Sequence, residues 1–165
     1  MSKTDDALKA AFAGESQANR KYLAFAEAAD KEGFPQAAKL FRAAAEAETV
    51  HAIAHLKAMK GVKSTSENLQ EAVGGETYEF TSMYPGMIEL AKAEGRQDAQ
   101  ISFWRANEVE QVHAKLYKNM LDGLGKSKES YSYYVCPVCG YTHEREAPDK
   151  CPVCGAAGKL FKKID

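Results

Sequence analysis

The chain has no cysteine before Cys136 and only two prolines, Pro35 and Pro85, before Pro137. It has no run approaching the roughly 20 apolar residues that cross a bilayer as a helix. Charge of one sign is missing too: 22 basic against 23 acidic side chains leave a formal net charge of -1. Near-neutrality argues against nucleic acid as the main partner, because phosphate neutralisation normally needs a basic face. The opening residues M-S-K-T-D-D carry no apolar stretch of the secretory kind. The expectation is a soluble, cytoplasmic protein with no membrane partner. With 45% apolar and 27% charged residues, the composition also excludes disorder as the default.

What is present falls into two compositions. Up to about residue 123, Ala, Glu, Lys, Gln and Leu dominate and predict helix. Thr4 is the expected N-cap of a first helix that runs to about Glu32, with Gly33 just past its end. Pro35 suits the first turn of a second helix ending before Gly61. Helical pattern resumes at Glu67, weakens at Gly74-Gly75, and continues to about Glu94. A fourth helix follows Gly95 and runs to about Asp122. Four long helices with short links predict an antiparallel four-helix bundle. Residues 123–130 read as a linker, giving expected domains of 1–126 and 131–165, the second non-helical.

The helical part repeats itself. At an offset of 62, Tyr22, Glu27, Gly33, Phe41, Glu48, Val50 and His51 match Tyr84, Glu89, Gly95, Phe103, Glu110, Val112 and His113. Upstream the offset is 61, pairing Leu8, Gly14 and Glu15 with Leu69, Gly75 and Glu76. The second half therefore carries one extra residue between Glu76 and Tyr84. An extra residue inside a continuing helix is a π-bulge, a feature often found at functional sites. A bulge or kink is expected between Glu76 and Pro85.

Helical periodicity puts carboxylates where apolar side chains belong. Glu15 shares a face with Leu8, Phe12, Asn19 and Tyr22. Glu48 shares one with Phe41, Ala44 and Ala52, with His51 at its edge. Glu76 aligns with Phe80 and Met83, with Glu79 about one turn on. Glu110 aligns with Phe103 and Ala106, flanked by His113. Several glutamates aimed at one core would each cost several kcal/mol unless compensated. No Lys or Arg occupies these stripes, so divalent metal is the better counter-charge. Glu48-Thr-Val-His51 and Glu110-Gln-Val-His113 are both E-x-x-H, which places carboxylate and imidazole on one side of a helix, one turn apart. Two such motifs plus one Glu from each remaining helix is the arrangement of di-iron and di-manganese carboxylate bundles. Mixed oxygen and nitrogen donors suit iron or manganese. Glu79 has no counterpart in the first half and adds a fifth, asymmetric carboxylate. His55, whose counterpart is Tyr117, reads as a packing or supporting residue. Tyr22 and Tyr84 fall near the ligand face, either packing or supporting ligands.

The second composition is a metal knuckle. The segment reads C136-P-V-C139-G, eleven intervening residues from Gly140 to Lys150, then C151-P-V-C154-G. Paired C-x-x-C units place four thiolates around one metal, zinc or a single iron on this evidence alone. Disulfides are disfavoured in a chain with no export signal. With four cysteines filling the shell, His143 reads as a loop residue.

Taken together, G-E15-S, E48-T-V-H51, G-E76-T-Y-E79-F, M-Y-P around Pro85, E110-Q-V-H113 and the two C-P-V-C-G units resemble the rubrerythrin family. The resemblance spans essentially the whole chain. It implies a mainly α fold, a ferritin-like four-helix bundle followed by a small rubredoxin-like domain. It implies that Glu15, Glu48, His51, Glu76, Glu79, Glu110 and His113 form the catalytic di-iron site, with Glu48 and Glu110 bridging and His51 exchanging with Glu79 as oxidation state changes. Cys136, Cys139, Cys151 and Cys154 would bind one further iron. The implied activity is a peroxidase that reduces hydrogen peroxide to water in oxidative stress defence. Electrons would come from rubredoxin or a flavoprotein reductase, linked to NAD(P)H through that separate enzyme, and pass through the cysteine iron. The family also implies a homodimer or higher homo-oligomer, with helix exchange between chains left open. The alternatives are a ferroxidase or iron-binding protein, which has no need of the cysteine module, and a structural zinc-ribbon protein with a vestigial bundle.

Overall fold

The computed structural model describes residues 2–165, which form two compact units, one ending at Lys63 and the other running from Ser64 to Asp165. The division falls within the helical region, at the loop before the second repeat.

The first unit is a hairpin of α1 (Lys3–Lys31) and α2 (Pro35–Ala58). The N-cap of α1 is Ser2, not Thr4. Its hydroxyl accepts from the Asp5 N–H at 3.1 Å, while the Asp5 carboxylate accepts from the Ser2 N–H at 2.9 Å. Ser2 wins because only the S-x-x-D spacing satisfies two orphan donors reciprocally, and Thr4 lies inside the first turn. The helix closes with Gly33 in the left-handed region and the Phe34 N–H on the Ala29 carbonyl at 2.8 Å. Pro35 then starts α2, where its missing N–H costs nothing. The hairpin core is built of small side chains, Ala26, Ala29 and Ala38, with Phe41 packed against them. Alanines let the two helices approach closely. The buried Asn19 ties them further: its Nδ2 donates to the Ala45 carbonyl at 2.7 Å and to Thr49 Oγ1 at 2.8 Å. Across the same hairpin Arg42 pairs with Asp30.

The second unit opens with α3 (Thr65–Tyr78), capped by Ser64 in the same reciprocal manner with Glu67. The ladder then widens into a five-residue π-helix, Glu79–Met83, and returns to α geometry in α4 (Tyr84–Ala93). This is the expected insertion, between Glu76 and Pro85. Pro85 sits in the first turn of α4, where it lacks the N–H that a continuing ladder would use. Gly74-Gly75, though weak helix formers, stay helical within α3. The long α5 (Gln97–Gly123) packs against α3, the π-helix and α4.

The duplication is visible in three dimensions. The closure of α1 recurs at α4, where Gly95 is left-handed and the Arg96 N–H reaches the Ala91 carbonyl at 2.9 Å, each residue 62 positions on. Tyr22 lies 6.3 Å from Phe41, and Tyr84 lies 6.3 Å from Phe103, ring centre to ring centre. Both tyrosines thus pack against the partner helix of their own hairpin.

After α5 the chain forms three short antiparallel strands, β1 (Tyr133–Val135), β2 (Thr142–Glu144) and β3 (Lys162–Ile164), with β1 in the middle. A 3-10 turn, Gly158–Leu160, precedes β3. Gly158 is forced by space, since a Cβ there would lie 1.9 Å from the Pro148 carbonyl oxygen. The non-helical C-terminal segment belongs to the same compact unit as α5, and β2 touches that helix directly.

Candidate metal centres

Among the described residues three groups of metal-ligating side chains bring one donor atom each to within 4.8 Å of one another. They are Glu15, Glu48 and His51 in the first unit, Glu76, Glu110 and His113 in the second, and the four cysteines. Each helical group takes a lone Glu from one helix and an E-x-x-H pair from the helix packed against it.

In the first unit, His51 Nδ1 lies 2.9 Å from Glu48 Oε2. In the second, His113 Nδ1 lies 2.8 Å from Glu110 Oε2 and 4.0 Å from Glu76 Oε2. The i,i+3 spacing produces both contacts, as the repeat required. The surroundings differ. The His51 side chain is 56% exposed, whereas that of His113 is 26% exposed.

The second unit concentrates negative charge. Burial first, and then the Glu110 carboxylate, raise the Glu76 carboxyl above its ordinary value against the opposing pull of His113. Burial and the Glu76 charge raise Glu79 in the same direction. The phenols of Tyr84 and Tyr117 are also raised, by burial and then by these carboxylates. A cluster of carboxylates countered by a single imidazole is what a bound cation relieves. Glu79 stands on the first residue of the π-helix, close enough to feel Glu76 and His113 electrostatically, but it is not part of the three-donor group. His55 is partly buried and outside every group.

The knuckles repeat one another as closely as the hairpins do. Gly140 N–H bonds to the Cys136 carbonyl and Gly155 N–H to the Cys151 carbonyl, each at 2.9 Å. Both glycines have φ near +80°, at 84° and 75°, a turn that a side chain at either position would strain. Cys136 Sγ lies 3.6 Å from Cys154 Sγ, and Cys139 Sγ lies 3.5 Å from Cys151 Sγ. All four are free thiols rather than disulfides. Four sulfurs about 2.3 Å from one ion sit roughly 3.8 Å apart, so the spacing fits a tetrahedral metal. Burial, followed by the neighbouring thiols, drives the Cys139 thiol far above its usual range, a crowding that a metal reverses by replacing the protons. His143 lies on β2, and its Nδ1 donates to the Glu144 carbonyl at 2.9 Å, away from the sulfurs.

Two residues that sequence reasoning left without a role help to shape these sites. Asn19 locks α1 to α2 beside Glu48 through Thr49. Thr142 meets the far nitrogen of His113, Nε2, at 3.0 Å. Asn19 could have been singled out as an amide on an apolar stripe. Thr142 carries no signal, since its contact spans 29 residues of sequence.

Repeated carboxylate–histidine hairpins joined to a four-cysteine knuckle define a class: helical di-metal carboxylate proteins that carry a second, sulfur-bound metal. Comparison with known proteins narrows it. The Rubrerythrin family profile matches residues 6–121, and that of the rubrerythrin rubredoxin-like domain matches residues 134–162. Rubrerythrin-2 of Clostridium acetobutylicum is 34% identical over 96% of this chain and 95% of its own length. Nigerythrin of Nitratidesulfovibrio vulgaris is 38% identical over 89% of this chain and 79% of its own. Among solved structures, fully reduced, all-ferrous nigerythrin aligns with 99% of this chain and 88% of its own at 34% identity and a TM-score of 0.61.

The chain therefore belongs to the rubrerythrin family. Its fold is the family's: ferritin-like helices followed by a rubredoxin-like knuckle. The family's cofactors are a di-iron site on the helices and one iron on the cysteines. The donor types here fit both.

Proposed function

We propose that this protein is a non-haem di-iron peroxidase that reduces hydrogen peroxide to water in oxidative stress defence. The single observation that carries the reading is the joining, in one chain, of carboxylate–histidine groups to a tetrathiolate. The first suits two-electron chemistry with a peroxide, and the second suits one-electron relay. Residues 1–126 supply the di-iron domain and residues 131–165 the relay. Glu15, Glu48, His51, Glu76, Glu79, Glu110 and His113 hold the two irons, and Cys136, Cys139, Cys151 and Cys154 hold the third.

The irons supply the redox chemistry; the protein positions it. Glu48 and Glu110 hold their carboxylates beside the imidazoles of the same motifs and would serve as the bridging ligands. Glu79, on the first residue of the π-helix, would supply an additional carboxylate.

A flavoprotein reductase or rubredoxin, linked to NAD(P)H, supplies the electrons. No described helix is long and apolar enough to cross a membrane. Exposed Leu40, Val50, Leu90 and Trp104 favour association of copies into a homodimer or larger assembly. The test is anaerobic stopped-flow mixing of the fully reduced protein with hydrogen peroxide. Reoxidation within milliseconds to seconds, with one peroxide consumed per electron pair, is expected. A reduced protein that peroxide leaves reduced would overturn the reading.

A further inference from the structure

His113 is held at both ring nitrogens, and the second contact leads to the cysteines. Its Nε2 lies 3.0 Å from Thr142 Oγ1, and Thr142 Oγ1 lies 3.1 Å from the Gly140 carbonyl oxygen. A threonine hydroxyl has one proton, and a carbonyl oxygen can only accept. The hydroxyl therefore donates to Gly140, and Nε2–H donates to the hydroxyl. That occupies Nε2 and leaves Nδ1 as the ring nitrogen facing Glu110 Oε2 at 2.8 Å. A proton or a metal ion can sit between those two atoms, so the bridge holds the ring with Nδ1 turned to the place a metal would take.

The bridge continues through covalent bonds. Gly140 follows Cys139, and its N–H holds the Cys136 carbonyl at 2.9 Å. Gly140 also packs on α5, where a Cβ would stand 3.8 Å from the buried Val109. The knuckle turn is thus seated on the same helix face that carries Glu110 and His113. The matching residue of the first repeat, His51, is more than half exposed, and its one recorded hydrogen bond is to Glu48.

We propose that Thr142 is a positioning residue: it ties His113 to the Cys139–Gly140 turn and makes that bridge the route by which an electron crosses from the cysteine iron to the helical iron site of the same unit. The proposal rests on the reading of His113 and the cysteines as iron ligands. One electron leaves the ferrous cysteine iron, which becomes ferric, and reduces one ferric iron on the helices. The Nε2 and hydroxyl protons stay where they are.

The test uses the full chain loaded with iron, as wild type, Thr142→Val and Thr142→Ser. A photogenerated one-electron reductant bleaches the ferric tetrathiolate colour, and the return of that colour reports transfer onward to the oxidised helical site. Thr142→Val, with iron content and resting colour unchanged, should slow the return by about tenfold or more, while Thr142→Ser should return at close to the wild-type rate. A second readout is free of redox chemistry. In the zinc-loaded chain the His113 Nε2–H should give a slowly exchanging NMR signal in wild type and Thr142→Ser, lost in Thr142→Val. Equal colour return in wild type and Thr142→Val, or no such signal in wild type, would overturn the bridge. Failure of the bridge leaves peroxide reduction standing. Conversely, a wild-type chain that passes the electron but ignores peroxide keeps the bridge and sinks the peroxidase reading.

Discussion

The two helical hairpins began as one sequence, and what they still share separates cleanly from what they do not. Both keep a lone Glu facing an E-x-x-H, the same left-handed glycine closure, and a Tyr–Phe contact at 6.3 Å. The first hairpin adds the buried Asn19 bridge and leaves His51 exposed. The second adds the π-helix, Glu79 and the Thr142 tether on His113. Duplication supplies a symmetric set of donors, and each half adds its own asymmetry: the Asn19 bridge beside Glu48 in the first, the π-helix, Glu79 and the Thr142 tether in the second. A redox site that must treat its two metals differently needs such a break.

The comparison can be broken most severely by removing the extra residue. Deleting Ser82 would restore the offset between the repeats and return the π-helix to α geometry. It would also rotate Glu76 and Glu79 by about 100° relative to Tyr84 and the contacts below it. Iron on the helices should be lost while the cysteine iron remains, measured as metal content together with the visible band. Retention of all three irons would show that the insertion is incidental.

Next in size are Glu48→Ala and Glu110→Ala. The symmetric part of the account expects equal effects, each lowering peroxide-driven reoxidation by about a hundredfold or more. A large effect from one alone would mean that the repeats no longer share the role.

The histidines should behave unequally. His113→Ala should lower helical iron content by about tenfold in affinity or more, since its tethered ring has no substitute. His51→Ala should cost less, because its ring is more than half exposed and no second hydrogen bond tethers it. Competition with a chelator, followed by metal content, measures both.

The smallest expected effect concerns folding alone. Asn19→Ala removes both hydrogen bonds that tie α1 to the Ala45 carbonyl and the Thr49 hydroxyl of α2 and should cost about 1–3 kcal/mol, read from denaturant unfolding. The second hairpin has Phe80 or Thr81 at the matching position and no such bridge.

Most of the fold and the donor set could be read in the sequence, because both are written in local periodicity. The E-x-x-H pairs, the two C-P-V-C-G units and the helix ends at Gly33 and Gly95 depend on residues within one or two turns of each other. The π-helix was legible for a less common reason: a repeat with a changed offset acts as an internal ruler. The N-cap at Ser2 was misplaced by two residues because Thr4 and Ser2 are both competent caps, and only the reciprocal bond from Asp5 separates them. The division at Lys63 was not legible either. The Gly61–Ser64 loop has the same polar composition whether helices pack across it or part there. Thr142 lay beyond any pattern, since a hydroxyl reaching a histidine across 29 residues depends on where the knuckle docks, which no local spacing encodes.

The measurement that bears most directly on the central claim is metal content combined with anaerobic peroxide titration of the reduced full chain. The account predicts about three irons per chain, two on the helices and one on the cysteines, all reoxidised by hydrogen peroxide. Zinc at the cysteines with little metal on the helices, or a full iron complement that peroxide does not oxidise, would contradict it.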